Sequence, residues 1–221
     1  MKSFLCALLL CCCGFGCARI YRPVSLAQSR PSPQAVGLSA VLDLQPWGDN
    51  SRYEGKALHS NLRVVVLSLE NHTGSDLDAP RLELPDSTSA LSAEDAFKLV
   101  KQQPLLYVLY PLLPGLMIPG ASNKGSYGPS DRAGFSVLAI VGLAIGIPNA
   151  AVAARSNTRL ATFFKDNAWI SIPLQPGQSQ RGLVFLRSPD PYAPLSLQLR
   201  YRTALGEQGQ ELICPGLRPI H

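Results

Sequence analysis

The chain is poor in charged residues and, over most of its length, in cysteine. Charged residues make up 16% of the 221 positions, and no run of lysine or arginine concentrates the net charge of +5. A modest excess of this kind does not form the basic face of a nucleic-acid-binding protein, so no nucleic-acid partner is expected. Five of the six cysteines lie at or before position 17, which leaves only Cys214 in the body and excludes an internal disulfide there. A lone cysteine in an apolar strand is typical of a small buried hydrophobe rather than of a reactive thiol.

The sequence also lacks the motifs that hold catalytic groups or metal ligands at fixed spacing. The three histidines, His59, His72 and His221, form no H-E-x-x-H pair, and neither G-x-S-x-G nor S-x-x-K occurs. We therefore predict no catalytic residue, no metal and no cofactor, and a chain that is not an enzyme.

Polar residues gather in the turn predicted after residues 62–70. Glu70, Asp76 and Asp78 surround it, and calcium is bound by carboxylate oxygens of this kind. Acidic hairpin tips are more often simply solvated, so no calcium site is predicted. Within the same turn, residues 71–73 (Asn-His-Thr) match a glycosylation sequon, which we interpret as incidental.

The first 17 residues have the pattern of an export signal. Lys2 supplies a positive charge, an uncharged apolar stretch follows, and two glycines precede Cys17. A membrane-spanning helix needs about twenty apolar residues, so we expect this shorter stretch to be cleaved rather than to span. Residues 14–17 (Gly-Phe-Gly-Cys) resemble the lipobox of bacterial lipoprotein signals. The resemblance implies acylation at Cys17, with Cys13 as a weaker competing position.

The same resemblance implies an address for the mature protein. Residues 1–16 are expected to be a signal peptide, and fatty acyl chains such as palmitate on Cys17 would anchor the protein in a membrane of the cell envelope. Residues 17–36 are rich in Pro, Ser, Gln and Arg, and we expect them to form a flexible tether. In the lipoproteins that this leader resembles, Asp directly after the acylated cysteine tends to retain the protein in the inner membrane, so Ala18 favours the outer membrane, facing the periplasm. An envelope protein partner is implied, but its identity is open.

Residues 37–221 have the pattern of a mainly β domain. β-Branched residues crowd residues 62–70, and residues 195–201 alternate apolar and polar without a fault. Further strands are predicted at 37–44, 81–84, 169–174, 181–187 and 211–214, with 81–84 expected to pair with 62–70. Short strands without regularly interspersed helices predict an antiparallel, immunoglobulin-like β-sandwich.

A helical, apolar insertion interrupts this pattern at residues 104–166. Residues 133–154 are uncharged over about the thickness of a bilayer. We favour packing against the sandwich, with a helix that begins at Asn149 and brings side chains into a core. Those side chains are Val152, Leu160, Phe163 and Phe164. The alternative is that residues 104–154 form a hairpin that enters the membrane.

The sequence thus predicts a lipid-anchored cell-envelope protein with a non-catalytic binding or scaffolding β-sandwich. One alternative is a membrane-embedded accessory subunit of an export or envelope-maintenance assembly that uses residues 104–154. A second alternative is an envelope enzyme of an unrecognised type.

Overall fold

Antiparallel strands and helices form the regular structure of the chain. A computed structural model describes residues 18–26, 37–43, 47–109, 129–204 and 206–214, with the backbone alone for 129–142. In chain order the elements are β1 (Leu38–Asp43), α1 (Ser51–His59), β2 (Leu62–Asn71), β3 (Arg81–Glu83), β4 (Ser89–Ala90), α2 (Ala93–Val100), α3 (Pro104–Leu109), α4 (Pro129–Asn167), β5 (Ser179–Arg187), β6 (Leu195–Thr203) and β7 (Gly206–Cys214).

The chain divides into two units. The first unit consists of Met1–Tyr21 and Gln102–Arg159, and the second unit consists of Arg22–Lys101 and Leu160–His221. All seven described strands belong to the second unit, whereas α3 and most of α4 belong to the first.

A four-stranded antiparallel sheet in the second unit has the order β1-β2-β5-β4. β2 lies between β1 and β5, and nearly all of its residues are buried. A run of β-branched and aliphatic residues suits such a central position, because both faces and both edges of the strand are covered. The strand predicted at 62–70 is confirmed, as are those predicted at the beginning of the domain and at 181–187.

A three-stranded antiparallel sheet in the same unit has the order β3-β6-β7. β6 alternates buried and exposed residues from Leu195 to Arg200, as its sequence predicts, and forms a hairpin with β7. The prediction that residues 81–84 pair with 62–70 is wrong. Leu82 on β3 instead pairs with Leu199 on β6, because the edge of β2 is already occupied by β1 and β5.

One hydrophobic core receives side chains from both sheets. The buried residues of this core include Val65, Leu67 and Leu69 from β2, Val184 and Leu186 from β5, Leu197 and Leu199 from β6, and Leu212 and Cys214 from β7. Two antiparallel sheets therefore share a core in the second unit.

The strand predicted at 169–174 is wrong. Ile170 and Ile172, which the alternation assigns to a buried face, are 66% and 47% exposed. In this segment the backbone forms only two isolated β-bridges, between Ala168 and Leu183 and between Leu174 and Leu77. Pro173 explains part of the failure, because it has no N–H to donate to a strand ladder.

The close approach of this segment to β5 depends on a glycine. A Cβ added at Gly182 would lie 2.5 Å from the Cα of Trp169. The Trp169 N–H donates to the Leu183 carbonyl oxygen at 2.8 Å, so main chain lies directly against main chain here.

Ser92, followed by Glu94 and Asp95, predicts a short helix that runs to about Lys101, and this helix is confirmed. α2 begins at Ala93, and the Ser92 hydroxyl accepts a hydrogen bond from the Asp95 N–H at 3.0 Å, which satisfies one of the unpaired donors of the first turn. Helix α1 was not predicted.

The helix predicted from Asn149 exists, but its start is wrong. α4 begins at Pro129 and continues through Pro148, so Asn149 lies within the helix and does not cap it. The burial predicted for Leu160, Phe163 and Phe164 is confirmed, whereas Val152 is half-buried. The Phe164 ring packs against those of Trp47 and Phe185, with centroids 5.9 and 4.8 Å away. In its described parts the predicted insertion is helical.

Among the residues described, no helix combines the length and the apolar character needed to cross a membrane.

Candidate functional site

The segment directly after Cys17 is held by hydrogen bonds within the first unit. We call residues 18–21 the N-terminal strap. Cys17 itself, the predicted lipidation site, lies outside the described residues, as do Cys13 and His221. The strap is therefore the nearest described structure to the predicted modification.

Helix α4 binds both ends of the strap. The Ala18 N–H donates to Asn149 Oδ1 at 3.3 Å, and the Tyr21 N–H donates to Ser156 Oγ at 3.2 Å. Asn149 and Ser156 are seven residues apart, which places them on the same side of the helix two turns from each other. The spacing of polar side chains on α4 thus matches the two ends of the strap.

The middle of the strap is bound from two directions. The Arg19 carbonyl oxygen accepts hydrogen bonds from Gln102 Nε2 at 2.9 Å and from the Ser156 hydroxyl at 3.1 Å. Tyr21, at the end of the strap, is completely buried. A buried tyrosine and several hydrogen bonds compensate the entropy lost on ordering a short extended segment.

Gln102 is itself fixed in place. Its main-chain N–H donates to Asn157 Oδ1 at 2.8 Å, and the Asn157 amide donates back to the Gln102 carbonyl at 2.7 Å. The Tyr107 hydroxyl donates to Gln102 Oε1 at 2.8 Å, so the Gln102 amide is oriented with its nitrogen toward the strap.

The beginning of the expected tether therefore differs from the prediction. In the second unit, the Arg22 N–H donates to Asn50 Oδ1 at 3.0 Å, and the Leu26 carbonyl accepts from the Arg181 guanidinium at 3.1 Å. Five residues between positions 18 and 26 therefore form hydrogen bonds: Ala18, Arg19, Tyr21, Arg22 and Leu26. The rest of the expected tether, residues 27–36, lies outside the described residues.

Sequence reasoning missed the residues that bind the strap. Asn149 and Ser156, which bind the strap, and Asn157, which holds Gln102, are polar residues in or just after an otherwise apolar stretch, and Tyr21 is a large aromatic residue in a polar one. Those mismatches are the signals that could have indicated the contact.

The polar turn after β2 is built around Asn71. This side chain is completely buried, and its amide nitrogen donates to the carbonyl oxygens of Ser75 at 2.8 Å and Leu174 at 2.9 Å. Its Oδ1 accepts from the Thr73 N–H at 2.9 Å and the Thr73 hydroxyl at 2.7 Å, a local pattern that Asn commonly stabilises in turns. The sequon asparagine is thus a structural residue of the turn.

The charged groups of this turn do not form a cation site. Glu70 lies 3.6 Å from His72, and both side chains are partly exposed. Over the described parts of the chain, no group of three or more His, Cys, Asp or Glu side chains is placed to hold a metal ion.

Cys214 ends β7 and is buried in the core of the second unit. Burial raises the pKa of its thiol, and the nearby Arg63 guanidinium counteracts this only in part. The neutral thiol therefore dominates at neutral pH, and a neutral thiol is a weak nucleophile.

Arg63 is also buried and fixes the loop between β5 and β6. Its Nη2 donates to the Asp190 carbonyl oxygen at 2.7 Å and contacts the Ala193 carbonyl oxygen. Arg63 and Cys214 thus belong to the interior that supports the sheets.

Comparison with protein-family models, with curated proteins and with solved structures finds no match for this chain.

Proposed function

We propose that this chain is a lipid-anchored protein of the bacterial cell envelope, acylated on Cys17 after removal of residues 1–16. The observation that carries the proposal is the leader itself: a basic residue, an apolar stretch too short to span a bilayer, and the small residues Gly14 and Gly16 shortly before Cys17. In this proposal the outer membrane, on its periplasmic face, is the destination.

The second unit would act in binding or scaffolding without catalysis. We interpret its sheets, β1-β2-β5-β4 and β3-β6-β7, as the two layers of an immunoglobulin-like sandwich. The shared hydrophobic core supports this interpretation, because two sheets that face each other bury one common set of side chains. The polar residues that could suggest chemistry have structural partners: Asn71 holds a turn, and Arg63 holds a loop.

The distribution of cysteines supports anchoring by lipid. Cys214 is buried in the second unit and is the only cysteine after position 17. A mature chain that begins at Cys17 would therefore have one cysteine available for acylation and one enclosed by the core.

Incorporation of radiolabelled palmitate in a bacterial host tests the proposal. We expect label in the wild-type chain, retention of label in Cys13→Ser, and loss of label in Cys17→Ser. Cys13→Ser is the matched control, since it removes a neighbouring thiol and leaves the expected acylation site intact. Label that survived in Cys17→Ser and disappeared in Cys13→Ser would move the anchor to the competing position, and an unlabelled wild type would overturn the proposal.

A further inference from the structure

Exposed apolar side chains are concentrated in the first unit. Among the described residues, ten large apolar side chains are exposed, and six of them belong to this unit although it contains the smaller described part of the chain. We call these six the apolar patch: Ile20 (57% exposed), Leu105 (75%), Leu106 (56%), Leu109 (52%), Leu143 (38%) and Ile147 (58%). Apolar side chains gathered in one region, unlike single scattered ones, mark a contact surface.

Close contacts bring together the three segments that carry the apolar patch. α3 crosses α4 so closely that a Cβ on Gly146 would lie 2.6 Å from the Tyr107 carbonyl oxygen. The strap is joined to the residues before α3 by the hydrogen bond from Gln102 Nε2 to the Arg19 carbonyl oxygen. Each member of the apolar patch lies within three positions of Gly146, Tyr107 or Arg19 along the chain.

The charge of the same unit favours an anionic partner. Residues 18–21, 102–109 and 143–159 contain Arg19, Arg155 and Arg159, and they contain no Asp or Glu. Arg155 and Arg159 are exposed and continue the i, i+4 row that passes through Ile147. Exposed apolar side chains close to arginines, with no acidic side chain among these residues, favour contact with an anionic membrane surface.

The strap defines where an acyl anchor would leave the protein. Cys17 is bonded directly to Ala18, and consecutive Cα atoms are about 3.8 Å apart. The Ala18 N–H is bound to Asn149, and Ile20, the member of the apolar patch in the strap, is three residues from Cys17. Acyl chains on Cys17 would therefore start beside the apolar patch, and the short distance keeps that part of the first unit close to the lipid.

We propose that the apolar patch lies in the boundary between headgroups and acyl chains of an anionic phospholipid membrane, with Arg155 and Arg159 facing the headgroups. This inference rests on the proposed acylation of Cys17, which supplies the anchor beside the patch. The first unit then binds the membrane along a surface, and the acyl chains are not its only contact.

Depth-dependent fluorescence tests the contact in the full-length acylated chain. A polarity-sensitive fluorophore is attached at Leu106→Cys, within the apolar patch, or at Ile213→Cys, which is exposed at 69% on β7 of the second unit. Each protein is reconstituted in vesicles of phosphatidylethanolamine and phosphatidylglycerol that contain brominated lipids. We expect a blue shift and strong quenching at position 106 and neither at position 213. Equal quenching at the two positions would overturn the proposal.

A second measurement avoids labels. In the mature chain, residues 17–221 with Cys17→Ser and without the apolar leader, binding to the same vesicles is measured by sedimentation for Leu105→Gln/Leu109→Gln and for the control Ile170→Gln/Ile213→Gln. We expect the first pair to weaken binding by about tenfold, because two leucines lose contact with lipid, and the control to leave it unchanged. Vesicles of phosphatidylcholine alone should bind the parent chain more weakly than the anionic vesicles. No binding by the parent chain, or equal effects of the two pairs, would contradict the proposal.

The outcomes separate this inference from the proposed function. If the chain is acylated but the fluorophore at position 106 is not quenched, the membrane contact is refuted and the anchor stands. This result is expected if a protein partner, and not lipid, covers the apolar patch. A wild-type chain that carried no acyl mass when purified from bacterial membranes, and still bound vesicles through Leu105 and Leu109, would refute the anchor and support the contact.

Discussion

The buried amide of Asn71 gives the sharpest stability prediction. Asn71→Ala removes four hydrogen bonds, two donated to carbonyl oxygens and two accepted from Thr73. A net contribution of about 0.5 to 1.5 kcal/mol each sets an upper limit near 6 kcal/mol. The Leu174 carbonyl would keep its bond from the Leu77 N–H, and the Thr73 groups are near water. We therefore expect a loss of about 2 to 3 kcal/mol in the free energy of unfolding.

Asn71→Asp should cost more, although it preserves the shape of the side chain. A carboxylate oxygen would replace the amide donor and face two carbonyl oxygens at about the distances now occupied by hydrogen bonds, so we expect a loss of about 3 to 4 kcal/mol.

Urea denaturation followed by the fluorescence of Trp47 and Trp169 measures both variants. His72→Ala is the matched control, because it lies in the same turn and loses only a partly exposed pair with Glu70, worth less than about 1 kcal/mol. If Asn71→Ala destabilised the protein no more than His72→Ala, the structural role assigned to the asparagine would be refuted.

Two further predictions concern packing and charge in the second unit. Gly182→Ala should lower the free energy of unfolding by about 1 to 3 kcal/mol, because its new Cβ would collide with the backbone of Trp169. Gly209→Ala is the control: its Cβ would meet no atom within 4 Å, so the urea midpoint should stay nearly unchanged. Equal shifts would contradict that packing. The pKa of Asp95 is lowered by hydrogen bonds from Ser92 and from Lys98. The ionised Asp95 carboxylate therefore stabilises the folded protein at neutral pH, and this contribution is lost as the pH falls through the lowered pKa. The stability difference between the wild type and Asp95→Asn should therefore shrink on acidification, and a difference that grew would argue against this ion pair and cap.

The sequence predicts those elements whose signal is local. β2 is specified by its run of β-branched residues, β6 by its alternation, and α2 by the serine that caps it. Each of these signals acts within one element, and the packing of the second unit agrees with it.

The failures concern contacts between residues that are distant in sequence. Residues 169–174 alternate like a strand, but Pro173 has no N–H to donate to a neighbouring strand. In the sheet, β5 pairs with β2 and with β4, and residues 169–174 do not join it as a strand. The order of the strap depends on Ser156 and Gln102, which are 135 and 83 positions from their partners in it. A Pro- and Ser-rich composition predicts a flexible tether. Composition contains no information about hydrogen-bond partners that are distant in sequence, so it could not predict that this segment is bound.

The sequence predicts an anchor at Cys17, but it does not predict what surrounds that position. The binding of Ala18 to Asn149 depends on a helix whose start the sequence misplaced. The proline at position 148 and the asparagine after it indicate a helix boundary, yet the helix continues through both.

Intact-mass analysis of the protein purified from bacterial membranes is the most direct test of acylation at Cys17. We expect a mature chain that begins at Cys17 and carries additional mass equal to a diacylglyceryl group, with or without a further fatty acid on the new amino terminus. A chain that retained Met1 and carried no acyl mass would contradict it.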